Sequence, residues 1–161
     1  MKFRPKRPAL ENATQVLPHQ AQEFFKAGDK TAHKGGGPAK IHRFRILSKR
    51  FRYELEYFSP CYGQALQAYL ELLKELQATL GALNDCAASR ELLSDLFEAG
   101  DPPRRHKKLF AALGHREEQL LTEFKEEWSQ KFANNELRRR WIRYLAHPPR
   151  RPLRAPAKPA K

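Results

Sequence analysis

Apolar residues in this chain recur every three or four positions and nowhere alternate over a run long enough for a strand, which predicts helices throughout. Leu10, Ala13, Leu17, Ala21, Phe24 and Gly28 share one stripe, so a first helix is expected over about 10–33. Pro18 lacks the donor for a bond to the residue four back and predicts a kink or a fresh segment there. Gly35-Gly36-Gly37-Pro38 ends this helix in a hinge. Phe44, Leu47, Phe51, Leu55 and Phe58 mark the apolar back of a second helix over about 39–58, which Ser59-Pro60 closes. Leu66, Tyr69, Leu70, Leu73, Leu76, Leu80, Leu83 and Ala87 give a long third helix over about 62–98. Gly100-Asp101-Pro102-Pro103 is the next break, with Asp101 suited to cap and Pro102 to open the following helix. That fourth helix, about 102–133, carries Leu109, Phe110, Leu113, Leu120, Leu121, Phe124, Trp128 and Phe132. Asn134-Asn135 caps a short fifth helix with Leu137, Trp141, Ile142 and Leu145. From Pro148 the chain is dominated by Pro, Arg, Lys and Ala, a composition that predicts a disordered basic tail over 148–161. The expected fold is all-α: four main helices in a bundle plus a short C-terminal helix, spanning 10–147 behind a basic N-terminal arm, 1–9.

Charge changes this picture in one place. The formal net charge is +13, yet residues 1–8 and 138–161 hold four and nine basic residues with no acid, which accounts for all of it. The body, 9–137, is neutral. Within that neutral body, Lys30 to Tyr53 contains eight lysines and arginines, two histidines and no acid. His42, Arg45, Lys49 and Arg52 follow at steps of three, four and three, which stacks them on one side of the second helix, away from its apolar back. Like charges one turn apart cost about 0.2–0.5 kcal/mol per pair, so an acid-free face calls for an anion. At 1.5 Å per residue the row is about 15 Å long and suits a linear anion of repeated charge. Arginine offers a planar fork to phosphoryl oxygens and lysine a mobile point charge. His42 can donate from one ring nitrogen when neutral and from both when protonated. Ile46, Tyr53 and Tyr57 flank the row and put a tyrosine hydroxyl near any ligand. On the third helix Lys74, Gln77, Gly81 and Asn84 form a second seam with the same spacing, beside the apolar stripe. Gln77 and Asn84 suit either ligand contact or interhelical hydrogen bonding, and Asp85 is expected to orient a nearby cation.

Several function classes drop out. Cys61 and Cys86 are too few for a disulfide framework and read as reduced small residues. The N-terminus lacks an apolar run of signal-peptide length, and no stretch approaches the roughly 20 apolar residues of a membrane span, so a cytoplasmic location is expected. The six histidines have no metal-ligand spacing, and neither a P-loop nor a nucleophile–base pair can be read, so no metal, cofactor or catalytic residue is expected. Arg104-Arg105-His106-Lys107-Lys108, at a helix start, opposes the helix dipole and reads as a solvated basic turn, with a second anion contact as the alternative.

The run His42, Arg45, Lys49, Arg50, Arg52, Tyr53 resembles the HxxRxxxKRxRY pattern of the CHAD family, the conserved-histidine α-helical domains, with every defining position present. Leu73, Leu76, Gln77, Leu80, Gly81, Leu83, Asn84 and Asp85 resemble the family's LxxLQxxLGxLND helix, in the expected order and separation. The resemblance extends over roughly 10–133. It implies an all-α bundle with a basic channel or groove and non-enzymatic binding of inorganic polyphosphate, with location at polyphosphate granules. By the same resemblance the polyphosphate-binding residues are His42, Arg45, Lys49, Arg52, Arg50 and Tyr53, joined by Lys74 from the second seam, although Arg50 has a helix angle off the row.

Family domains commonly carry two four-helix units; this chain has one, which implies a homodimer of facing rows, with an open groove on a monomer as the alternative. The triphosphatase motif ExExK of some family members is incomplete, because Phe58 stands where its lysine would be after Glu54-Leu55-Glu56. A competing reading is a nucleic-acid-binding protein acting through its basic ends and Arg138, Arg139, Arg140 and Arg143, against which the neutral body and the lack of a recognisable nucleic-acid motif both count.

Overall fold

A computed structural model describes residues 4–33, 37–97 and 104–148. These form five α-helices, α1 (Ala9–His33), α2 (Pro38–Tyr57), α3 (Ala65–Phe97), α4 (Arg104–Lys131) and α5 (Asn135–Ala146), with one 3-10 turn at Ser59–Cys61 and no strand among them. The expected Asp101 cap, the Gly100–Pro103 break and the tail from 149 onward lie outside the described residues, as do the side chains of 104–106. Helices α1 to α4 follow one another around the bundle, α1 touching α4 to close the ring, and α5 lies along α1.

The core is built from aromatic rings. Phe24 of α1 sits at its centre, with centroids of Phe25, Phe44, Phe51, Trp128 and Phe132 between 5.3 and 5.7 Å away. Edge-to-face and offset pairs of this kind add about 0.5–1.5 kcal/mol each beyond the area they bury. Gly28, on the α1 stripe, lets the Trp128 ring lie directly on the backbone.

Of the two outcomes expected at Pro18, a kink or a fresh segment, the fresh segment is not found: α1 continues through the proline as one helix. Leu17 and Ala21, both fully buried, anchor the helix on each side of the proline, and their burial offsets the missing hydrogen bond. A second correction concerns the far end of the bundle. At 33 residues α3 is about 50 Å long, whereas the 20 residues of α2 reach only about 30 Å. Burial on α3 therefore stops at Leu83, Leu92 and Leu96 are 61 % exposed, and Leu109 of α4, expected in the core, is 43 % exposed. Cys61 and Cys86 are free thiols and half-buried.

Helix α5 is fastened by polar contacts. Asn134 caps it, accepting hydrogen bonds from the backbone N–H of Glu136 and Leu137. Arg138 donates to both carboxylate oxygens of Asp29 at 2.8 and 2.5 Å and to the Phe132 carbonyl at 2.6 Å, while the Trp128 indole N–H donates to Asp29 at 3.0 Å. The Tyr62 hydroxyl donates to the Leu145 carbonyl at 2.7 Å. Burial alone pushes the Asp29 carboxyl up, but the hydrogen bonds from Arg138 and Trp128 together with the Arg138 charge hold it below the ordinary carboxylate range. A depressed folded-state pKa contributes stability above the unfolded value, about 3.9, that is lost as pH falls through the folded value. Asp29→Asn should therefore be less stable than the wild type at pH 7 in urea titrations, and the gap should close as the pH is taken from about 4 downward.

Candidate anion-binding site

Helix α2 opens at Pro38 after Gly37, has no acid in its first turn, and buries Ile41, Phe44, Ser48, Phe51 and Leu55. That leaves its basic side at the surface, between α1 on one flank and α3 on the other. Helices α2 and α3 run antiparallel, and two side-chain clamps fix their register. At one end His42 Nδ1 lies 2.7 Å from Asn84 Oδ1. At the other, Gln77 accepts from Arg52 Nε at 2.9 Å and donates to the Ser48 carbonyl at 3.0 Å. Gln77 and Asn84 thus serve as interhelical hydrogen-bonding residues.

The clamp determines what His42 can offer. Its Nδ1–H is committed to the Asn84 carbonyl oxygen, so the neutral ring presents only an acceptor at Nε2; it donates there once protonated. Arg52 is held by Gln77 and by Glu56, whose carboxylate is 2.6 Å from a terminal guanidinium nitrogen, and its Cζ lies 4.7 Å from the Tyr53 ring centroid. The face is therefore not wholly without acid, because the carboxylate one turn beyond Arg52 reaches back to it. Between the two clamped residues, the side chains of Arg45 and Lys49 have no hydrogen bond or ion pair among the described residues. Gly81, between Gln77 and Asn84 on α3, has nothing within 4 Å of where a Cβ would stand, so the strip of α3 beside the row is open.

The remaining predicted residues divide. Tyr53 is exposed beside the row, with Ile46 and Tyr57. Arg50 turns to the opposite flank, paired with Glu54 at 2.9 Å and, with the Gln20 amide in its hydrogen-bonding orientation, 2.9 Å from that oxygen on α1. Its off-row helix angle is thus realised. Lys74 is held by Glu71 at 2.8 Å and keeps that carboxyl below its usual range; it makes no hydrogen bond to the row. Asp85 is exposed and forms no ion pair among the described residues, so it orients no cation, contrary to expectation. Glu54 and Glu56, the two acids of the incomplete ExExK pattern, serve Arg50 and Arg52.

A cavity of about 910 Å³ lies on the α1 flank, lined by Val16 and Gln20 from α1 and by Arg45, Ile46, Lys49 and Tyr53, among others, from α2. Arg45 and Lys49 therefore border open space on this side. Of the arginines on α5, Arg138 is consumed by Asp29, whereas Arg139, Arg140 and Arg143 are exposed. Among the described residues no cluster of three His, Cys, Asp or Glu is placed to hold a metal ion, and no helix is long and apolar enough to cross a membrane.

Compared with known proteins, the chain matches the model of the CHAD domain over residues 2–94, which takes in α1, α2 and nearly all of α3. The motif resemblance alone had suggested an extent of about 10–133, so the match begins earlier and ends within α3. No curated protein and no solved structure matches the chain. With more than half its residues inside that match, and both motif helices within it, the chain belongs to the CHAD domain family.

Proposed function

We propose that this protein binds inorganic polyphosphate, without catalysing its turnover, by laying the phosphoryl chain along the exposed side of α2. The observation that carries the reading is the pair Arg45 and Lys49, two cations without partners among the described residues, set between His42 and Arg52, which α3 holds in place. Membership of the CHAD family and the motif resemblance support the same ligand. In this reading Arg45 and Lys49 bind phosphoryl oxygens directly, and Arg52 shares its guanidinium between Glu56 and the ligand. His42 adds a donor when protonated, and the Tyr53 hydroxyl hydrogen-bonds a neighbouring phosphate. Arg50 and Lys74 act from the edges. Binding releases counterions and so weakens steeply with salt.

The rival reading, nucleic-acid binding through the basic ends, is favoured by the exposed Arg139, Arg140 and Arg143. Competition of polyphosphate against RNA at two salt concentrations separates the two, using the wild type and the Arg45→Glu/Lys49→Glu variant. Polyphosphate binding that RNA displaces poorly, and that the variant loses, is expected. Equal displacement by RNA, with the variant unimpaired, overturns the proposal.

Ile46, Tyr53 and Tyr57 are 52 %, 51 % and 72 % exposed along the same side of α2. A second copy facing this side across a two-fold axis would cover these side chains and supply a second cationic row. Light scattering is expected to give a dimer in the presence of polyphosphate; a monomer both with and without it would leave an open groove on a single chain.

A further inference from the structure

A second group of cations lies further along the α1 flank of α2, toward its N-terminal end. Lys30, in the last turn of α1, and Lys40 and Arg43, near the start of α2, line a cavity of about 490 Å³ whose walls include Thr31, Phe44 and Leu47. Among the described residues no carboxylate lines it. Lys30 and Lys40 make no side-chain hydrogen bond or ion pair among the described residues. Arg43 Nε donates to the Ala39 carbonyl at 3.2 Å, and its two terminal nitrogens have no partner among the described residues.

Folding alone does not account for this grouping. The α1 dipole favours Lys30 at that helix's C-terminal end, but Lys40 sits in the first turn of α2, where the dipole opposes a cation. Lys40 and Arg43 are also like charges three residues apart. Gly37 provides no side-chain cap and the first turn no acid, so nothing there offsets the positive end of the α2 dipole. An anion seated in the cavity would relieve all of these at once.

We infer that Lys30, Lys40 and Arg43 form a second phosphoryl subsite, reached by a polyphosphate chain that crosses the first turns of α2 from His42. The inference rests on the proposed polyphosphate reading and extends it to a residue set outside the motif row. His42 and Arg43 are consecutive, separated by about 100° around the helix and about 1.5 Å along it, so the two cationic faces meet there. A helix with its side chains is about 10–12 Å across, a span that a long phosphate chain can cross and a short one cannot.

The test compares tripolyphosphate with long-chain polyphosphate, titrated into the wild type and into Lys30→Gln/Lys40→Gln/Arg43→Gln. A charge-matched control, Lys107→Gln/Lys108→Gln/Lys125→Gln, alters exposed cations of α4. Circular dichroism verifies that each variant is folded. The first variant should keep tripolyphosphate affinity within about twofold while losing on the order of tenfold or more for the long chain. Its slope of log affinity against log salt for the long chain should fall by about two, at about 0.7 per lost phosphate contact. The α4 control should change neither affinity by more than about twofold. Unchanged long-chain binding by the first variant overturns the inference. So does an equal loss for both ligands, or a loss that the control reproduces, since either marks bulk charge rather than an extended path. Failure of the wild type to bind either ligand overturns the polyphosphate reading itself, and the inference with it.

Discussion

Arg45→Glu/Lys49→Glu is expected to weaken polyphosphate binding by about 100- to 10,000-fold, from about 1.5–3 kcal/mol for each lost charge-assisted contact and about 1.4 kcal/mol per decade of affinity. These two positions are the informative ones because neither side chain has a partner among the described residues. Changing them leaves both α2–α3 clamps in place, so thermal stability should stay close to that of the wild type. Arg52 is a poorer choice. Its guanidinium is bonded to Gln77 and Glu56, and a glutamate there would set carboxylates at 52 and 56 one turn apart while removing a tie between α2 and α3. Isothermal titration at low salt measures the loss. Binding by the folded double variant at wild-type affinity would sink the assignment of the row.

Gly28→Ala should destabilise the fold by about 1–3 kcal/mol or more, against the usual direction for a helical glycine. In an open helix interior the same change gains up to about 1 kcal/mol, because alanine loses less backbone freedom on folding. At Gly28 the new methyl would lie 1.9 Å from the Trp128 ring, and that ring is wedged against Phe24, Phe44 and Phe132. It has no room to retreat without disturbing the whole aromatic cluster. Gly114→Ala is the matching control, since its Cβ would meet nothing within 4 Å and the variant should gain stability. Urea unfolding of both variants gives opposite signs if the ring packing sets the effect. Two stabilised variants would show that Trp128 moves aside freely.

The helices were legible because a period of three to four residues is what a buried helical stripe requires. The row from His42 to Arg52 followed from the same geometry. Pro18 begins no new segment because burial at Leu17 and Ala21 outweighs the local rule. Leu109 misled because periodicity reports a stripe and not whether a neighbour is long enough to cover it. Glu56 was within reach of the i,i+4 rule, yet a count of acids ending at Tyr53 passed over it. The tautomer that Asn84 imposes on His42 had no sequence signal, since it depends on the helix register that sets side by side two residues 42 positions apart. Nor did the cavity joining Lys30 to Lys40 and Arg43, which exists only once α1 and α2 pack side by side.

The placement of α5 bears on where a binding module ends. Residues 2–94 carry both motif helices, but Phe24 and Phe25 are covered by Trp128, Phe132 and Trp141, all further along the chain. Cutting at the limit of the family match would strip the aromatic cluster of these rings and leave Asp29 without Arg138. The smallest autonomous piece must therefore include Leu145, whose carbonyl receives the Tyr62 hydroxyl, and any shorter excision would present α1 and α2 as a sticky, half-built surface.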